Sequence, residues 1–125
     1  QLAYYDVRPA LPEVPASALS GGNQQKLIVA RELSGQTSEG VVLAIHPTRG
    51  VDLGAIEFIH SQLIKAAEKG AAVVLISSEL EELMALSHRI GVVYSGKICE
   101  WFDGRYDEKK IGQVMLSGSA KEASA

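Results

Sequence analysis

Two short aliphatic runs, Val41-Val42-Leu43-Ala44-Ile45 and Ala71 to Ile76, constrain this chain more than any other feature. Each is too short to form a helix of its own and too continuously apolar for a strand with one wet face, so each reads as a buried strand of a parallel sheet. Between them Ile56, Ile59, Leu63 and Ala67 fall on one face of a helix over residues 53–69, with Asp52 as N-cap and Gly70 at the C-terminal cap. Strand, helix and strand in that order imply a right-handed crossover and a sheet covered on both faces. The fold class is α/β, with a mostly parallel sheet and flanking helices.

The remainder of the chain fits around that unit. Pro9, Pro12 and Pro15 keep residues 1–16 extended, as a lead-in. Leu27, Ile28, Ala30 and Leu33 recur near helical spacing, so a helix follows Ser20, a good N-cap, and runs to about Leu33. Residues 34–40 form a polar connection, and Pro47 ends the first strand. Ser78 with Glu81 three residues on makes a capping box for a short helix ending near Leu86. Ile90–Tyr94 and Lys97–Trp101 read as strands joined by a tight turn at Ser95-Gly96. Residues 107–115 form a last helix, and residues 117–125, rich in Ser, Ala and Gly, a disordered tail.

Bulk properties exclude several classes of function. With 12 Lys and Arg against 15 Asp and Glu, a net charge of -3, there is no basic stripe to track a nucleic-acid backbone. No apolar run approaches the ~18 residues of a membrane span. The single cysteine, Cys99, has no internal disulfide partner, which points to a reducing, cytoplasmic setting. A first residue of Gln1 in place of methionine suggests a fragment or a trimmed product.

In a parallel sheet, ligands meet the loops at the carboxyl ends of the strands, which here are 46–52 and 77–79. A third candidate is the helix tip Ser20-Gly21-Gly22, whose unpaired amides lie at the positive end of a helix dipole. On spacing alone that tip reads as a plain loop and cap. His60 and His88 lack acidic or thiol companions at ligand spacing, so no metal site is expected. Tyr94, Trp101 and Phe102 read as packing residues, and Glu79, Glu81 and Glu82 as a solvated helix face. A G-x-S-x-G nucleophile elbow is absent from the sequence, which removes the α/β-hydrolase reading.

The residues after the tip add a further constraint. "LSGGNQQK" resembles the signature motif of ATP-binding cassette (ABC) ATPases, in the variant of bacterial importers for simple sugars and nucleosides. In register, "VVLAIHPTRGVDLGA" resembles the family's Walker B strand and D-loop. "VVLISSELEEL" is similar to the strand and switch, "SHRIGVVYSGKI" to the following strand pair and "IGQVMLSG" to the family's ending. The resemblance runs from Val14 to Gly118 and is nearest to the C-terminal part of the second nucleotide-binding domain of such importers. It implies a partial P-loop NTPase fold. No G-x-x-x-x-G-K-[ST] loop occurs within these residues, so the Walker A part is missing.

By that resemblance Ser20, Gly21, Gly22 and Gln24 contact the γ-phosphate of ATP held by another nucleotide-binding domain. Asp52, with Thr48 and Arg49, lies in the D-loop at the same interface. Where the family has the Walker B aspartate and glutamate this chain has Ile45 and His46, and at the switch histidine it has Ser78. Isoleucine cannot ligate Mg²⁺, a hard cation that takes oxygen. The resemblance thus implies no hydrolysis by this chain alone, with ATP and Mg²⁺ belonging to a complete assembly. Its partners are a second nucleotide-binding domain and transmembrane permease subunits, at the inner face of the cell membrane. The alternative is a stand-alone interaction module that self-associates through an exposed sheet edge and never touches nucleotide.

Overall fold

The computed structural model describes residues 1–35 and 40–119. The chain divides into two compact units, Gln1–Ser78 and Glu79–Ala125, each with its own core.

The first unit contains helix α1 (Gly21–Leu33), strand β1 (Val41–Ile45), helix α2 (Leu53–Glu68) and strand β2 (Ala72–Ile76). The strands pair in parallel from Val41 opposite Ala72 to Ile45 opposite Ile76, so α2 is the crossover that the order of elements demands. Period-two alternation then sends Val42 and Ala44 toward the helices. With Val29, Ile59, Leu63, Ala66 and Ala71 they make the core.

The same alternation turns Val41, Leu43 and Ile45 the other way, beside Val74 and Ile76, and all five are exposed. This corrects the expectation of a sheet buried on both faces. The helices of the unit pack against one face only, and the continuous apolar runs are apolar on both.

The lead-in departs from an extended path. Tyr5 N–H donates to the Gln1 carbonyl at 3.0 Å and Val7 N–H to the Leu2 carbonyl at 2.9 Å, and a 3-10 turn occupies Ala16–Ala18. The first proline is Pro9, so nothing prevents residues 2–7 from turning. The turns place Tyr5 and Val7 in a small apolar cluster with Leu19 and Ala30 of α1. Lys26 fastens the segment, its Nζ 2.7 Å from Asp6 Oδ2. Residues 36–39 of the polar connection lie outside the described residues.

The second unit contains helix α3 (Leu80–Leu86), strands β3 (Arg89–Tyr94) and β4 (Lys97–Asp103) and helix α4 (Glu108–Ser117). The strands form an antiparallel hairpin whose turn has positive φ at both Ser95 and Gly96, the geometry that matches strand twist. Ile90, Val92 and Phe102 pack with Ile111 and Val114 of α4. Asp107 caps α4 by accepting from the Lys109 and Lys110 amides, and Gly118, at φ 72°, ends it.

Three local expectations fail in this unit. Glu79, not Ser78, is the N-cap of α3, with extended backbone and no side-chain cap bond, so Ser78 and Glu81 do not stand in capping-box relation. Glu82 is buried, so it does not belong to a solvated helix face. Helix α4 extends through Ser117, and residues 120–125 of the expected tail lie outside the described residues.

Candidate functional site

The tip of α1 is held by side chains on both sides of it. Ser20 has extended backbone, φ -62° and ψ 157°, and its Oγ accepts from the Asn23 amide at 3.4 Å and from Asn23 Nδ2 at 3.0 Å. Asn23 Oδ1 in turn accepts from the Arg8 backbone N–H at 2.9 Å. Neither Asn23 nor Arg8 is singled out by the sequence. The signal for Asn23 is its place three residues after an N-cap serine, where a side chain reaches back to the cap. For Arg8 there is none, because its contribution is a main-chain N–H.

Gln24 is placed differently from Ser20. Its Nε2 donates to the Ala16 carbonyl at 3.1 Å and the Leu19 carbonyl at 3.0 Å, which folds the amide back onto the chain entering the helix. Ser20 and Gly21 stand exposed at the tip, while Gly22 is buried.

Gly22 is buried because the loop after β1 reaches it. His46 leaves the sheet at φ 45°, donating its N–H to the Ile76 carbonyl at 2.8 Å and accepting from Arg49 N–H at 3.2 Å. Pro47 is buried, and Gly50 turns the chain at φ 73°. Asp52 then caps α2, its Oδ1 accepting from the Ala55 amide at 3.0 Å. A Cβ on Gly22 would lie 2.5 Å from Asp52 Oδ2 and 3.2 Å from the Ala55 Cβ, and one on Gly21 would lie 3.9 Å from the Gly50 carbonyl oxygen. The helix tip and the loop through Asp52 are one assembly, although about thirty residues separate them in sequence.

Other candidates sit nearby on the sheet. Ile45 pairs with Ile76, so His46 and Ser77 leave the sheet at the same end, with exposed Ser78 next in the chain. Arg49 is exposed and Thr48 half-buried in the loop. Ile45 presents hydrocarbon where a cation needs oxygen, so this position does not fit Mg²⁺. Among the described residues no cluster of three His, Cys, Asp or Glu side chains could hold a metal ion. A cleft lined by Tyr4, Leu33, Gln62 and Lys65 encloses about 40 Å³, against the ~300–1,000 Å³ typical of ligand pockets. In the lead-in, hydrogen bonds from Lys26 first, then from Arg8, hold the Asp6 carboxyl below its usual value.

No family model matches the chain. Individual proteins do match, and their alignments cover most of its length. The chain is 45% identical over 120 residues, 95% of its length, to the guanosine import ATP-binding protein NupO of Bacillus subtilis. It is 44% identical over 119 residues to the nucleoside import ATP-binding protein NupA of Lactococcus lactis. To the ribose import ATP-binding protein RbsA of Lacticaseibacillus paracasei it is 37% identical over 111 residues. The chain is homologous to a segment of ABC importer ATP-binding proteins. It spans 23% of the length of each of the two nucleoside importers' proteins and 22% of the ribose protein. The matched segment is an α/β structure with a parallel strand pair, and its helix tip and the loop through Asp52 meet within the first unit. Among the described residues no helix is long and apolar enough to cross a membrane.

Proposed function

We propose that this chain supplies the signature tip and the D-loop to an ATP site completed by another nucleotide-binding domain. The observation that carries the reading is the contact between Gly22 and Asp52, which welds an outward-facing helix tip to the loop beside it. Ser20, Gly21 and the first-turn amides of α1 face the γ-phosphate, and Thr48, Arg49 and Asp52 line the adjoining surface. Gln24 contributes by fixing the entry to the helix, since its amide is bound to main-chain carbonyls.

The chain's own chemistry supports a contribution in trans. Ile45 and His46 stand where the resemblance puts the Walker B carboxylates, and isoleucine offers no oxygen to a hard cation. In a complete assembly Mg-ATP supplies the phosphoryl group, and donors placed in a water-poor interface stabilise the charge that develops on it. Closure of the two domains then drives transmembrane permease subunits, with a simple sugar or nucleoside as solute, from the cytoplasmic face.

A second reading rests on a different observation. The exposed Val41, Leu43, Ile45, Val74 and Ile76 form an apolar face that suits a stand-alone interaction module, including one that self-associates. Calorimetric titration of Mg-ATP into the chain, alone and mixed with an intact nucleotide-binding domain of a relative, separates the two. The first reading expects heat that depends on the mixture and is lost in Ser20→Arg; identical titrations with wild-type and variant chain would overturn it.

A further inference from the structure

We propose that Asn23 is a positioning residue that commits the Ser20 hydroxyl to donating outward, toward an acceptor oxygen such as that of a phosphate. The inference rests on the reading that the α1 tip faces phosphate, and it adds the means by which the tip is prepared.

A serine hydroxyl has one proton to give and two lone pairs to fill. At Ser20 both lone pairs are engaged from within the chain. The Asn23 main-chain N–H reaches Oγ at 3.4 Å and the Asn23 Nδ2 reaches it at 3.0 Å. The direction of the second bond is not free to reverse, because Asn23 Oδ1 already accepts from the Arg8 N–H at 2.9 Å. An asparagine whose oxygen is held by a main-chain donor presents its NH₂ to the serine, and the serine must accept. The remaining capacity of Ser20 is its O–H. Ser20 is exposed, so that proton is left for solvent or a ligand.

Two consequences follow for the ligand. A donor-only hydroxyl selects an acceptor and repels ammonium or amide donors, which suits a phosphate oxygen at the proposed ATP site. The chain of bonds from Arg8 through Asn23 to Ser20 also polarises Oγ–H in one direction, so the donor is oriented before the ligand arrives. Asn23 never touches the ligand in this arrangement. It acts through Ser20.

A double-mutant cycle on ATP turnover tests this, using the full chain mixed with an intact nucleotide-binding domain of a relative. Ser20→Ala lowers chain-dependent turnover on the order of ten-fold or more, and Asn23→Ala lowers it by a similar factor. In the Ser20→Ala background, Asn23→Ala costs nothing further. Asn23→Asp, isosteric and still able to accept from Arg8, also loses turnover, because a carboxylate cannot donate to Ser20 and captures its proton instead. An equal cost of Asn23→Ala in both backgrounds would mean a structural role and overturn the proposal. So would full turnover in Asn23→Ala or Asn23→Asp while Ser20→Ala is impaired. If Ser20→Ala itself turns over at the wild-type rate, the phosphate-facing reading of the tip fails, and this inference with it.

Discussion

The carboxylate of Asp52 occupies the space that a side chain on Gly22 would need. A Cβ there would approach Oδ2 to 2.5 Å, and the same carboxylate holds the first turn of α2 through the Ala55 amide. A glycine in one motif therefore sets the position of an N-cap in another.

Gly22→Ala is expected to destabilise the chain. Forcing a methyl into that contact costs about 1–3 kcal/mol, against a helix-propensity gain of up to about 1 kcal/mol. Replacing Asp52 with Ser keeps a capping oxygen on a shorter side chain, so Gly22→Ala/Asp52→Ser recovers most of the loss. Urea unfolding of Gly22→Ala, Asp52→Ser and the double variant checks this, and a Gly22→Ala chain as stable as wild type would contradict it.

Acid should loosen the lead-in. Asp6 is bonded to Lys26 and Arg8, and its carboxyl is held below the ordinary 3.8. A carboxyl lowered on folding stabilises the folded chain above its unfolded value, and that contribution disappears as pH falls through the lower folded value. Wild type should therefore lose more stability than Asp6→Asn as pH is taken from about 5 to below 3.8. Parallel pH dependences in the two proteins would refute the assignment.

Trp101 reports on the hairpin. Its ring lies over Gly91, where an added Cβ would come within 2.8 Å of Cζ3, and the Arg89 guanidinium sits 4.6 Å from the ring centroid. Gly91→Val should push the ring off the strand and away from Arg89. Because the chain has one tryptophan, its fluorescence isolates the event: emission shifts red and acrylamide quenching rises. An unchanged spectrum would mean that the ring does not rest on Gly91.

Leu43 tests the bare sheet face. It is 60% exposed between Val41 and Ile45, opposite Val74. Leu43→Lys should leave the fold intact and reduce any concentration-dependent association seen by sedimentation equilibrium, because one charge interrupts the apolar patch. Val42→Lys, by contrast, should unfold the unit, since Val42 is buried in the core. Equal association of wild type and Leu43→Lys would remove this face from any self-contact.

Much of the fold is legible in the sequence where a local rule acts alone. Strand β1 and the Asp52 cap of α2 fall where apolar runs and capping chemistry place them, and the parallel pairing follows from the crossover. The rule misleads where it presumes a context. Continuous apolar strands imply two covered faces, yet packing of this unit reaches only one. Ser78 and Glu81 have capping-box spacing, but α3 begins from Glu79, and the pattern has no hold on where the preceding strand releases the chain. At the candidate site, Ser20 and the glycines stand out as a motif. The sequence does not reveal that Gly22 is claimed by Asp52 or that Arg8 fixes the orientation of Asn23, because both relationships depend on a loop and a turn distant in the chain.

The exposed apolar face also changes what a stability measurement on this protein means. Whatever settles on Leu43 and Val74 binds the folded unit and not the unfolded chain, and so raises its apparent stability by mass action, about 2.7 kcal/mol at a hundred-fold excess over the dissociation constant. A melting temperature recorded with such a partner present is therefore partly a reading of how much of it is in the tube.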